Sequence, residues 1–285
     1  MDEALEIDWE VVSPSGKPPP LPVPAWSEQD HRDLRRAKHL LENPGLAAKL
    51  AELIGGPVEK GFKLLPNGWR DTVQLASRKA LMSAMEVAAT TVRDRNTSRS
   101  SDFSHQVAVG ATGCVGGIFG LPAMIWELPL STSLMLRSML DVARSEGHPP
   151  KDLITRLSCL EVFALGGPQV ADDAAESAYW SVRSALSVAL SDAAVFIARN
   201  GFTTEGGPAV VKLISSIAGR FGVLVSEQVA AKAIPIIGAV AGSTVNVLFM
   251  KHFQDMARGH FIVKRLENKH GQNTVIRVYD STPLR

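Results

Sequence analysis

From Trp69 to Arg95 the apolar positions Trp69, Val73, Ala76, Ala80, Ala84, Ala88 and Val92 recur every three or four residues, while Arg70, Lys79, Glu86 and Arg93 fall mostly elsewhere. That spacing puts one apolar stripe on a long amphipathic helix. The same period runs through most of the chain. SEQDHRDLRRAKHLLE reads as a charged helix with Ser27 as its N-cap and Glu28 and Asp30 in the first turn, stopped by Asn43-Pro44-Gly45. LAAKLAELIGG predicts a second short helix, and Pro57 starts a third that ends at Pro66-Asn67-Gly68. KDLITRLSCLEVFALGG, the stretch from Pro168 to Asn200 and the segments after Pro208 predict further helices.

Two segments break this period. EIDWEVV and TVIRVYD alternate as strands do, the second with Val275, Arg277 and Tyr279 on one face, and their pairing with each other is expected because a lone strand leaves its ladder groups unsatisfied. Six prolines between Pro14 and Pro24 make an extended linker after the first. The expected organisation is a strand and proline-rich linker over 1–26, a helical domain over 27–271 and a C-terminal strand and tail over 272–285. The fold class is mainly α, an irregular bundle of eight to ten helices with glycine-rich helices at its centre and short terminal strands.

The centre is assigned from two uncharged runs, Gln106–Trp126 and Ala233–Met250. Gly113 with Gly117, Gly116 with Gly120, and Gly238 with Gly242 have the spacing that lets helix backbones approach closely. The first run is long enough for a membrane span and the second marginal. Glycines, Pro122, Pro129 and the polar Ser243, Thr244 and Asn246 make regular spans costly, so two core helices packed on each other are expected.

Composition narrows the function classes. Thirty basic against 29 acidic side chains give a net charge of +1, which provides no basic face for nucleic acid. The two cysteines, Cys114 and Cys159, lie in apolar sequence and read as reduced core thiols. The acidic start MDEALEIDWE lacks the pattern of a secretory signal, so a cytoplasmic protein is expected. GATGCVGG lacks the Lys-Ser/Thr of a phosphate loop, and no cofactor is expected.

Glu127 is the leading candidate for chemistry, since a carboxylate in apolar surroundings must find a partner or a proton. The preferred reading is a structural ion pair, with Arg137 or Lys251 as candidate partners. The alternative gathers Glu127, Asp141 and Glu161 on facing helices as an acidic metal site, though the expected Glu-x-x-His element is missing. His252, Asp255 and His260 lie on one helical face and are weaker metal candidates, because Phe249, Phe253, Met256, His260 and Val263 make a plain amphipathic stripe.

The series GATGCVGGIFGLPAMIWELPLSTSLMLRSMLDVARSEG, RLSCLEVFALGG and AIPIIGAVAGSTVNVLFMKHFQDMARGHFIVKRLE resembles, in order and spacing from about Ala76 to Leu266, the bacterial EcsC family. That family is named after a gene neighbouring an ABC transporter. The resemblance implies an α-helical, membrane-associated protein and supplies no catalytic residues. The expected function is therefore a non-enzymatic accessory or regulatory protein at the cytoplasmic face of the inner membrane, peripherally attached, with the membrane surface or a transporter as partner. Oligomers are compatible with the glycine spacing. A metal-assisted hydrolase or lipid-acting enzyme using Glu127 and nearby carboxylates is the alternative.

Overall fold

The computed structural model describes residues 25–42, 46–90, 121–166, 178–201, 207–234 and 242–283. Among them lie ten helices: α1 (Glu28–Glu42), α2 (Leu46–Ile54), α3 (Glu59–Phe62), α4 (Trp69–Thr90), α5 (Leu121–Ser145), α6 (Leu153–Leu165), α7 (Ala178–Asn200), α8 (Pro208–Ala233), α9 (Gly242–His270) and α10 (Gln272–Ser281). The expected N-terminal strand, the proline-rich tract, Cys114, Gly113, Gly116, Gly117, Gly120 and Gly238 lie outside the described residues. Gly242 opens α9.

Local signals set the helix ends. Ser27 Oγ accepts the amide of Asp30 at 3.1 Å while the Asp30 carboxylate accepts the amide of Ser27 at 2.9 Å, a reciprocal cap on α1. Asp152 caps α6 through the amide of Thr155, and Pro208 sits in the first turn of α8, where its missing N–H is no loss. Pro129 does not break α5 as its sequence suggests. The helix runs through it, and Ser131 and Ser133 donate back to the carbonyls of Glu127 and Pro129.

The longest helix, α9, contacts α1, α2, α5, α6, α8 and α10. Phe249 and Phe253 on α9 meet Phe163 of α6 and Phe221 of α8, with ring centroids 5.1–6.2 Å apart and tilted or edge-on. Such offset geometries are the favoured ones for aromatic pairs. The core is thus centred on phenylalanines, and α5 and α9, which take in the last residues of the two uncharged runs, pack on each other; most of the runs' glycines lie outside the described residues. Close backbone approach is needed at glycines outside those runs. A Cβ on Gly259 would come within 3.0 Å of the Ala37 carbonyl of α1, and one on Gly61 would collide with the Ala230 carbonyl of α8.

The C-terminal strand is corrected by the structure, because TVIRVYD lies inside α10. Among the described residues there is no strand. Val275 and Tyr279 are buried and Arg277 is exposed, which is the four-residue period of a helix; a strand would have put all three on one face. Gly271, at φ +81°, turns the chain out of α9. Lys38 of α1 then donates to the carbonyl of Tyr279 at 2.8 Å and lies over its ring, fixing α10 to the body.

Candidate functional site

Glu127 sits in the second turn of α5 with its side chain 13% exposed. Its Oε1 accepts from Lys232 Nζ of α8 at 3.2 Å and from Asn246 Nδ2 of α9 at 3.0 Å, and Gln228 donates to Asn246 Oδ1 at 2.7 Å. The result is a polar node joining three helices through an apolar region. Burial pushes the Lys232 ammonium below its usual range, and Glu127 opposes that shift. The structural ion pair is therefore present, with Lys232 in place of the expected partners. Lys251 instead meets Asp255 at 2.9 Å, and Arg137 is exposed.

The acidic metal site is not assembled. Asp141 pairs with Arg144 one turn along, Glu127 is held by Lys232, and Glu161 faces His260. His252, Asp255 and His260 share α9 but bond apart: His252 Nε2 meets the Gly166 carbonyl at 3.1 Å, Asp255 meets Lys251, and His260 Nδ1 meets the Tyr179 hydroxyl at 3.0 Å. Among the described residues no three His, Cys, Asp or Glu side chains gather closely enough to hold a metal. Cys159 is a buried free thiol whose pKa burial pushes up, which leaves it unreactive.

A second cluster does form, from residues that the sequence placed in separate sets. Glu161 of α6 and His260 of α9, both almost fully buried, face each other with Oε2 and Nε2 3.5 Å apart. Tyr179 of α7 contacts the other ring nitrogen, and Arg183, one turn further along α7, donates to the Tyr179 oxygen at 3.3 Å. Arg183 is held by two bonds to Glu267 of α9, at 2.7 and 3.0 Å, and stacks over the rings of Tyr179 and Trp180. The Tyr179 hydroxyl thus bridges the Arg183 guanidinium and the His260 ring, with the direction of its bond to Nδ1 set by the imidazole tautomer.

Burial dominates the electrostatics of this cluster. It raises the Glu161 pKa, although Arg183 and Lys264 oppose the shift, and Glu267 adds to it. It drives His260 well below its usual value, with Arg183, Lys264 and His148 adding to the effect. Burial thus disfavours the charged form of both partners, and no hydrogen bond closes the gap. Glu161 also lines a cavity of about 380 Å³ with Trp180, Arg183, Ser184, Lys264 and Gln272. Perturbed titratable groups on a cavity wall are the arrangement expected where ligands bind or protons move.

The surface carries a third feature. Trp126 and Leu130, one turn apart on α5, are 77% and 53% exposed, and Leu75 on α4 is 60% exposed. Lys79, one turn from Leu75, reaches over the Trp126 ring at 5.2 Å and joins the two helices' outer faces. Burial of Glu127 was expected from its apolar flanks; Leu128 is indeed buried, but Trp126 points outward. Among the described residues two helices, α7 and α8, are long and apolar enough to cross a membrane; the glycine-rich runs lie largely outside those residues. Asp192 interrupts α7, and Lys212, Arg220, Glu227 and Lys232 interrupt α8.

Sequence reasoning missed Lys232, Tyr179, Arg183, Lys264 and the Trp126 patch. Lys232 offered one signal, a lone cation immediately before the second uncharged run. The others are ordinary helix positions until the topology brings them together.

No curated protein and no solved structure matches the chain. The profile of the EcsC protein family matches residues 28–266, which take in α1 to α8 and nearly all of α9, and with them Glu127, Glu161, His260 and Trp126. The chain belongs to the EcsC protein family.

Proposed function

We propose that this protein is a non-enzymatic accessory or regulatory protein that docks on the cytoplasmic face of the inner membrane, where a membrane transporter is its second partner. The observation that carries this reading is the patch of Leu75, Trp126 and Leu130 around Lys79. Large apolar side chains clustered at the surface, with a tryptophan and a lysine side by side, match the chemistry of a lipid interface: the ring sits at headgroup depth and the ammonium meets anionic lipid. Full burial of each large apolar side chain is worth about 1.5–3 kcal/mol, so three partly exposed ones support reversible docking rather than permanent insertion.

The charges within α7 and α8 favour docking over spanning. Each ionised residue at mid-bilayer costs about 2.5–3.5 kcal/mol on insertion scales, and one face of each helix is already committed to the core, through Trp180, Leu186 and Ile197 on α7 and Leu213, Phe221 and Val225 on α8. Cell fractionation tests the reading. Protein in the membrane pool that is released by alkaline carbonate fits docking. Protein that resists carbonate and needs detergent spans the bilayer, and protein found wholly in the soluble pool has no membrane role.

A further inference from the structure

The cavity beside Glu161 is a built pocket with no ligand assigned to it. Its walls come from α6 (Glu161), α7 (Trp180, Arg183, Ser184, Ser187, Leu190), α9 (Lys264) and α10 (Gln272, Ile276, Asp280). Lys264 is half-buried on this wall and makes no hydrogen bond or ion pair with the described residues. An ammonium brought partly out of water without a counter-ion calls for one. Arg183 spends three of its five N–H donors, two on Glu267 and one on Tyr179, and its guanidinium is locked in place by those bonds and by Trp180.

Among the described residues, the acids near the pocket do not cancel this. Glu267 is consumed by Arg183. Asp280, on the last turn of α10, also lines the cavity but is exposed to solvent, where its charge is screened. Glu161 is almost fully buried against His260, and burial raises its pKa, which disfavours its charged form. At Gln272 the pocket also meets the start of α10, where Gly271 supplies no side-chain cap and amide N–H groups are left for another acceptor.

We infer that this cavity binds a small anionic group, a phosphate monoester, held by Lys264 and Arg183 with the Ser184 hydroxyl as a further hydrogen-bond donor. The group is either free in solution or the headgroup of a lipid. The inference stands independently of the membrane reading.

Titration calorimetry of the full chain with inorganic phosphate, glycerol 3-phosphate and the soluble lipid dihexanoyl phosphatidic acid tests it. Wild-type protein is expected to bind at least one of them. Lys264→Met should weaken that binding at least tenfold with melting unchanged, and Lys264→Arg should retain it. Ser184→Leu, on the exposed side of α7, should block the cavity without touching the core, while Lys251→Met, at the exposed Asp255 pair, should change nothing. Comparable binding of glycerol 3-phosphate and the short-chain lipid identifies a free ligand, and preference for the lipid identifies a headgroup. Absence of binding by any probe in the millimolar range, or equal binding by wild type and Lys264→Met, overturns the inference.

Discussion

Glu127 Oε1 and Lys232 Nζ lie 3.2 Å apart, across 105 positions of sequence, and the same oxygen also takes a hydrogen bond from Asn246. Removing the carboxylate strands both donors in a partly buried node. Glu127→Ala should therefore lower unfolding free energy by about 3 kcal/mol, and Glu127→Gln by less, because an amide oxygen still accepts from Asn246. The double variant Glu127→Leu/Lys232→Met should recover much of the loss. Denaturant titrations of the four proteins check this, and a double variant as unstable as Glu127→Ala would mean that the charge pair is not what Lys232 needs.

The buried histidines set the response to acid. Burial lowers His252 to about 4, Lys49 adding to the shift and the Gly166 carbonyl and Asp255 opposing it. The unfolded chain takes up a proton near pH 6.5 that the folded chain refuses until about 4, so stability falls as pH drops through that window. The full loss from this one group is about 3 kcal/mol. His148 and His260 are shifted the same way and add to it. His252→Gln keeps a donor for the Gly166 carbonyl without the titration, so its melting temperature should depend less steeply on pH between 6.5 and 4. An unchanged slope would contradict the assignment.

The helices were legible because their apolar residues repeat every three to four positions and their boundaries are explicit, as at Ser27 and Pro208. TVIRVYD was misread because Val275 and Tyr279 are separated by four residues, a spacing that both a strand and a helix place on one face, and β-branched composition tipped the reading. Arg277 discriminates, and only burial shows it. At the candidate site, Glu127 was legible as a carboxylate in need of a partner, but the partner's identity depends on how α5, α8 and α9 cross. Glu161 and His260 were each singled out from the chain, in different sets, because nothing local links residues 99 positions apart.

The corrected α10 yields its own test. Tyr279 is fully buried, stacks on Tyr179 and meets Trp180 edge-on, so Tyr279→Ala should cost about 3–5 kcal/mol. Arg277→Ala, on the exposed face, should stay within about 0.5 kcal/mol of wild type. Comparable losses at both positions would fit a strand with one buried face and would refute the helix.

Gly259 faces α1 closely enough that an added side chain would meet it. Gly259→Val should destabilise the protein, because its Cβ meets Leu41 Cγ at 2.7 Å and the Ala37 carbonyl at 3.0 Å, and overpacking of this kind costs about 1–3 kcal/mol. Gly219 on the open side of α8 has no atom within 4 Å of an added Cβ, and Gly219→Ala should be neutral or stabilising through helix propensity. Thermal melts of the two variants moving in the same direction would contradict the packing described.

Co-sedimentation with lipid vesicles tests the membrane reading most directly. Purified protein is mixed with vesicles of phosphatidylcholine and phosphatidylglycerol, and the bound fraction is compared with that of a Trp126→Asp/Leu130→Asp variant, whose changes fall on exposed positions and should leave melting unaltered. The wild-type chain is expected to pellet with the vesicles and the variant to remain in solution. Wild-type protein left in the supernatant, or a variant that pellets equally well, would contradict docking through the Trp126 patch.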